Sequence, residues 1–272
     1  MKIFSFFKLD CSPTIHPKED YSLVSKKYPI FVVADGVSLN QDKGEKYPEY
    51  SGAAEVAKIF CETVLEEAEK RFDNFIEKDL KEIFEIGNDS IREYNISQGR
   101  TKDTINYWDF DLFSATTSFA LIKNSKIYWW SLCDSGVAIY NAGRKVFQSP
   151  NGWINFPKDW IENRYDREKV IFRHKDYRNA VNNGKLIGYG AVDGEEAVTS
   201  YLNYGVKDIN KGETILIFTD GFENYFGLEN FIDIFKLWPE DVENKLENIV
   251  LEKSKENPDK YGREKTLIAI SV

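Results

Sequence analysis

The sequence has few of the residues on which several classes of enzyme depend. Histidine occurs only twice in 272 residues, as His16 and His174, so a histidine-rich zinc or di-iron site cannot be built. The three cysteines, Cys11, Cys61 and Cys133, form no C-x-x-C pair, and none has the arginine of a cysteine phosphatase six residues later. There is no G-K-[ST] phosphate loop and no complete dinucleotide-binding glycine motif.

Long apolar runs and an excess of positive charge are also absent. No apolar segment approaches the roughly 20 residues of a membrane-spanning helix, and the N-terminal apolar stretch is too short for a signal-peptide core. With 36 Lys and Arg against 45 Asp and Glu, the net charge is −9, which argues against nucleic acid or a membrane as a partner. Together with the sparse cysteines, these features predict a cytoplasmic protein and leave its oligomeric state open.

The apolar residues, 42% of the chain, follow patterns that separate strands from helices. Because these elements are segregated along the chain and do not alternate, we predict an α+β fold. We expect one domain over residues 1–272, with an irregular insertion or flap at about 147–183. Strands are predicted at 21–25, 29–34, 115–122, 126–133, 137–140, 214–219 and 266–272, and helices at 51–72, 79–94 and 228–256.

Acidic residues lie at the ends of several predicted core strands. Two apolar runs end in the same way, at Asp35-Gly36 and at Asp220-Gly221. Glu19-Asp20 precedes the first of these strands, and Asp134 follows another. Asp-Gly is a common turn pair, so each instance alone can be an ordinary turn. Two buried strands that end alike, in an acidic chain with little His or Cys, favour a shared carboxylate site for Mg²⁺ or Mn²⁺.

Seven segments, several of which contain these acidic residues, resemble, in order, the sequence blocks of the metal-dependent type 2C protein serine/threonine phosphatases. Each block alone is short, but their order along the chain matches that of the family. The segments are Lys18–Tyr21, Phe31–Val37, Ser51–Ala57, Ser114–Thr117, Ser131–Gly136, Glu213–Gly221 and Glu264–Ile270.

The resemblance implies a four-layer α-β-β-α sandwich, in which two antiparallel sheets are flanked by helix pairs. It also implies hydrolysis of phosphoserine and phosphothreonine in phosphoprotein substrates by water activated at two Mn²⁺ or Mg²⁺ ions, with a possible weak third ion. Asp35 and Asp220 are the expected catalytic residues. The implied metal ligands are Asp35, the Gly36 carbonyl, Asp220, Glu19 and Asp20 through water, Asp134 for the third ion, and Glu264.

The sequence departs from the family pattern at several of its functional positions. The closing aspartate of the family falls on Arg263, which we expect to turn outward or to pair with Asp259, leaving Glu264 or water to complete the metal shell. Metal binding should therefore be weaker than in the family. The further departures are Ile15, Gly136 and Asn224, and the residue that binds the substrate phosphate is not identified.

Two other functions stay open at this point. The departures suit a catalytically weak or inactive phosphatase-fold module that binds a partner or a phosphoprotein. The segment Asp109-Phe-Asp111 suggests an aspartyl-nucleophile hydrolase, although Phe113 stands where that class has Thr or Val. Both histidines, His16 and His174, are expected at the surface.

Overall fold

The computed structural model describes residues 1–8, 18–37, 51–152, 167–229, 231–237 and 241–272. Position 15, His16, Cys11 and Pro239 lie outside the described residues, as does the middle of the predicted insertion, 153–166. The strands are β1 (Lys2–Lys8), β2 (Asp20–Val24), β3 (Ile30–Gly36), β4 (Ala115–Lys123), β5 (Lys126–Leu132), β6 (Gly136–Asn141), β7 (Arg144–Gln148), β8 (Ala180–Asn182), β9 (Lys185–Ile187), β10 (Asn203–Asp208), β11 (Glu213–Phe218) and β12 (Lys265–Ser271).

The helical segments mostly follow the predicted ones. The α-helices are α1 (Gly52–Arg71), α2 (Glu77–Ser97), α3 (Arg167–Phe172), α4 (Val242–Glu256) and α5 (Pro258–Tyr261). The helix predicted over 228–256 is instead a short 3-10 segment, Ile232–Leu237, followed by α4. A second 3-10 segment, Asp220–Gly227, begins directly after β11.

Two antiparallel five-stranded sheets form the centre of the fold, which confirms the predicted α+β sandwich. One sheet has the order β1-β12-β11-β6-β7 and the other the order β10-β5-β4-β3-β2. A small β8-β9 hairpin stands apart from both. The strand β1 was not predicted, because Phe6 is its only buried residue and an edge strand of that kind has little alternating pattern.

Three apolar clusters correspond to the interfaces between four layers. One lies between α1, α2 and the β10-containing sheet, one lies between the two sheets, and one lies under α4 and the 3-10 segments. Neighbouring tryptophans on β5 separate two of them, since Trp130 stacks on Phe119 beneath α2 while Trp129 faces the opposite sheet. Within the described ranges, no helix is long and apolar enough to cross a membrane.

Candidate metal centre

Two strand ends, one in each sheet, bring the predicted acidic residues to one seam of the sandwich. Asp20 at the start of β2 is the register partner of Asp35 at the end of β3. Across the seam, Thr219 follows β11 and donates its hydroxyl to Asp20 Oδ2 over 2.8 Å. Asp220 is the next residue. The structure therefore joins Asp35 and Asp220, 185 positions apart in sequence, through Asp20 and Thr219.

The two glycines that follow these aspartates are required by close packing. A Cβ on Gly36 would lie 2.7 Å from the Ala53 carbonyl oxygen at the start of α1, and one on Gly221 would lie 2.0 Å from the Glu264 carbonyl oxygen. Neither glycine has a positive φ angle. The repeated Asp-Gly pair thus marks strand ends that are packed tightly against the neighbouring backbone, and the turn conformation itself does not demand glycine.

The carboxylates of Glu19 and Glu264 are both engaged in holding backbone elements. Glu264 accepts hydrogen bonds from the backbone N–H of Glu19 at 2.9 Å and from that of Asp20 at 3.1 Å. Glu19 accepts a hydrogen bond from the hydroxyl of Ser51, the residue that caps the N-terminus of α1 through the N–H of Ala54. These contacts fix residues 19 and 20, and therefore Asp20, relative to β12 and to α1.

The electrostatics of the cluster show that it holds more negative charge than its surroundings neutralise. Burial, and then the charges of Asp20, Asp220 and Asp134, hold the pKa of Asp35 well above its ordinary value. Burial and Glu264 raise the pKa of Asp20 to about 8, and burial and Asp220 raise that of Asp134 to about 6. The Thr266 hydroxyl lies near enough to oppose part of the rise at Asp20. No hydrogen bond of normal geometry reaches the buried Asp20 Oδ1 within the described part of the chain.

Arg263 places a positive charge directly in this cluster. Its Nη1 donates to Asp220 Oδ2 in a close ion pair, and its charge also acts on Asp134 and Asp35. The expectation that Arg263 turns outward is therefore wrong, and the carboxylate with which it pairs is Asp220, within the centre itself. The physical reason is that the carboxylates of Asp220, Asp134 and Asp35 together attract the guanidinium.

Comparison with known protein families identifies the family of this chain. The sequence profile of protein phosphatase 2C matches residues 16–250, which is most of the chain. The chain belongs to the protein phosphatase 2C family. The profile match ends before Arg263 and Glu264. No curated protein sequence matches the chain at a significant level.

Solved structures share the PP2C fold at low sequence identity. The serine/threonine phosphatase PstP/Ppp of Mycobacterium tuberculosis is 14% identical with a TM-score of 0.59, over 98% of this chain and 97% of that one. PppA of Pseudomonas aeruginosa is 13% identical with a TM-score of 0.63, over 100% of this chain and 97% of that one. The catalytic domain of PstP in complex with two manganese ions is 13% identical with a TM-score of 0.58, over 98% and 96%.

The donor set of this PP2C chain fits a divalent cation on one side of the cluster and not on the other. On the Asp20 and Asp35 side, an orphaned carboxylate oxygen and mutually repelling charges suit a hard cation. On the other side Asp220 is held by Arg263, and Glu264 binds backbone N–H groups. In the described ranges, accordingly, no three acidic, histidine or cysteine side chains are already arranged around a common point that could hold a metal ion.

A second buried cluster of charged residues, here called the Arg178 cluster, consists of Asp111, His174, Arg178 and Asp193. Arg178 donates to both carboxylate oxygens of Asp111, at 2.7 Å and 3.0 Å, and its Nε lies 3.0 Å from Asp193 Oδ2. His174 Nδ1 is 2.7 Å from Asp111 Oδ2. The expectation of a surface histidine at 174 is wrong, because His174 is only 4% exposed, in the helical turn that directly follows α3.

Sequence reasoning did not anticipate the Arg178 cluster or the hydroxyl support of Asp20. Thr219 could have been found, because it directly precedes Asp220 at the end of a buried strand. Asn224, a position where the family pattern has an aspartate, donates to the Lys260 carbonyl over 2.9 Å and so contacts the C-terminal end of α5. The four residues of the Arg178 cluster are spread over 82 positions and carry no recognisable motif.

Proposed function

We propose that this chain is a divalent-metal-dependent phosphatase that hydrolyses phosphoserine and phosphothreonine in phosphoprotein substrates, using Mn²⁺ or Mg²⁺. The observation that supports the proposal most is the cluster of carboxylates, Asp20, Asp35, Asp134 and Asp220, at the seam of a PP2C sandwich, in which Asp20, Asp35 and Asp134 have raised pKa values. The sparse cysteines of the sequence fit action in the cytoplasm.

Asp35, the Gly36 carbonyl and Asp20 are the groups that would hold the metal. When bound, a hard divalent ion lowers the pKa of a coordinated water and offsets the charge of the phosphate. The chain's own residues hold the donors in place: Thr219 fixes one oxygen of Asp20 and leaves the other free, and Gly36 keeps the main chain close to α1. A carboxylate cluster at an open seam also repels a bare phosphate, so substrate binding depends on a cation.

The geometry disfavours the aspartyl-nucleophile alternative. A nucleophilic carboxylate must be free to attack, but Asp111 is buried and both of its oxygens are bound by Arg178. Asp109 lies at the surface and accepts a hydrogen bond from Asn106 over 2.5 Å. Neither side chain has the buried strand before it that this class of hydrolase requires, because residues 101–114 form turns and irregular backbone.

The direct experiment is hydrolysis of an aryl phosphate and of a phosphothreonine peptide by the purified protein, with Mn²⁺, with Mg²⁺ and with EDTA. We expect turnover that requires the metal and is abolished by EDTA. Asp35→Asn should be inactive under every condition. Turnover that persists in EDTA would contradict a metal-dependent mechanism.

A second function is favoured by one observation, the ion pair between Arg263 and Asp220. If that pair keeps the metal out altogether, the chain is a weak or inactive PP2C module that binds a partner or a phosphoprotein. Titration with a phosphothreonine peptide separates the two functions. Peptide binding without turnover at any Mn²⁺ concentration would identify the binding module.

A further inference from the structure

We infer that Arg263 is a built-in cation of the centre, and that its guanidinium takes the place of one of two metal ions, so that the chain binds a single divalent ion beside Asp20 and Asp35. The inference rests on the proposed function, since it concerns the metal content of the same site. It gives a definite stoichiometry, which is one Mn²⁺ per chain, where the PstP catalytic domain holds two.

The first argument is the position of the charge. The Arg263 guanidinium contacts the Asp220 carboxylate directly and lies close enough to Asp134 and Asp35 for all three to act on it. A metal ion at this place would need the same Asp220 oxygens. A cation already bound there would repel a second cation that needs the same oxygens, and a divalent ion more strongly than a monovalent one.

The second argument is that Arg263 loses a hydrogen bond in this position. Its side chain is 39% exposed, so an outward rotamer in water is within reach. It instead buries Nε, which has no hydrogen-bond partner among the described residues. Burying an unpaired N–H is unfavourable, so the attraction of the carboxylates must exceed that cost.

The third argument is the asymmetry of the remaining donors. Asp20 Oδ1 is buried and unbonded, whereas Asp220 is already engaged by Arg263. The buried Lys265 directs its Nζ to the Arg263 carbonyl. The unbonded oxygen of Asp20 is therefore a donor left for a metal ion, while Asp220 already has a cation.

The test counts bound Mn²⁺ by isothermal titration, with electron paramagnetic resonance of the free ion as an independent count. We expect about one Mn²⁺ for the wild-type protein and about two for Arg263→Asp, which removes the guanidinium and adds a carboxylate at the same place. Arg144→Asp carries the same change of charge at an exposed hairpin position and should still bind one.

The outcomes separate this inference from the proposed function. Two ions in the wild type, or one ion in both the wild type and Arg263→Asp, would overturn the inference and leave metal-dependent hydrolysis standing. No Mn²⁺ bound by either protein would overturn both.

Thermal unfolding gives a second measurement, which does not depend on whether a variant binds an additional metal ion. Arg263→Ala should melt below the wild type in EDTA, because the carboxylates lose their counter-charge, and should gain more from Mn²⁺ than the wild type does. Arg144→Ala is the matched control. Equal melting temperatures for Arg263→Ala and wild type in EDTA would overturn the role of Arg263 as a counter-charge.

Discussion

Two buried charged clusters of this protein are built from similar residues and are balanced very differently. In the Arg178 cluster one guanidinium binds two carboxylates in good geometry. Burial alone would raise the pKa of Asp111, but Arg178 and His174 together hold it well below its ordinary value. At Asp193, the other carboxylate of this cluster, burial outweighs Arg178 and raises the pKa to about 6. In the metal centre the pKa values of Asp20, Asp35 and Asp134 are all raised.

The difference teaches how to distinguish a structural cluster from a functional one. A cluster that serves only to hold the fold together neutralises its own charge, because an unpaired buried charge costs several kcal/mol. In the metal centre, carboxylates repel each other and an oxygen of Asp20 is unbonded, so other parts of the fold must offset an unfavourable energy. Such a cluster fits a ligand of opposite charge.

The largest effect should come from Asp35→Asn. Removing this charge should lower phosphatase turnover on the order of a thousandfold, because the metal-dependent stabilisation is worth several kcal/mol. In EDTA the same variant should melt no lower than the wild type, because an amide relieves the repulsion. Steady-state kinetics and a thermal melt measure the two effects, and Asp208→Asn, an exposed aspartate on β10, is the control. A large loss of stability in EDTA would show that the Asp35 charge is balanced after all.

The opposite result is expected for the Arg178 cluster. Arg178→Met should lower the free energy of unfolding by about 3–5 kcal/mol, because it leaves Asp111 and Asp193 buried without a counter-charge. Arg71→Met is the control, since Arg71 pairs with Asp79 and Glu82 near the surface and should cost about 1 kcal/mol or less. Urea unfolding measures both. Equal losses would remove the distinction between the two kinds of ion pair.

Thr219→Val tests the link between the sheets at the centre. It removes the hydroxyl that donates to Asp20 and accepts from the N–H of Thr266 at 2.9 Å. The loss should be about 1–3 kcal/mol, because a buried N–H is left unpaired. Thr214→Val, on the same strand and away from the centre, is the control for urea unfolding. A loss no greater than that of the control would mean that the hydroxyl does not connect the sheets.

The smallest effect should be a slope in the pH dependence of stability. The folded protein holds a proton on Asp20 up to about pH 8, whereas the unfolded chain releases it near the ordinary value of 3.8. The free energy of unfolding in EDTA should therefore fall as the pH rises from about 4 to about 8, and this contribution should level off above that pH. Asp20→Asn should flatten this slope. An unchanged slope in the variant would assign it to another group.

The Arg178 cluster should give the opposite slope at acid pH. The pKa of Asp111 is lowered, and burial lowers that of His174, so both groups bind protons more readily in the unfolded chain. Their contribution to stability is present at neutral pH and is lost as the pH falls below about 6.5 for His174 and below about 4 for Asp111. Urea unfolding of Arg178→Met and of the wild type, measured at neutral pH and at acid pH, separates the pH dependence that comes from this cluster from that of the metal centre.

Much of the fold and part of the centre could be predicted from local sequence. The strands that end in Asp35-Gly36 and Asp220-Gly221 are continuous apolar runs, and the helices at 51–72 and 79–94 have a clear period, so α1 and α2 begin and end within three residues of the predicted bounds. The sandwich and the meeting of the acidic strand ends follow from the ordered blocks.

What could not be predicted depends on contacts between distant residues. The presence of Arg263 at the closing position is visible in the sequence, but its pairing with Asp220 depends on the charge of Asp220, Asp134 and Asp35, which come from three distant segments. The burial of His174 depends on Asp111, 63 positions earlier in an irregular segment. The periodic pattern of apolar residues does not predict such pairings, because each partner alone has the sequence context of an ordinary polar residue.

The bond between Glu264 and the amides of Glu19 and Asp20 also determines how the molecule opens. Those two N–H groups lie at the start of β2, yet they are held by a side chain just before β12 in the other sheet. We expect them to exchange with deuterated solvent when the two sheets separate at that end. Their exchange rates would therefore report a local breathing motion of the sandwich, separate from global unfolding. An ion bound at Asp20 should slow this exchange, and these two amides would record it without any substrate.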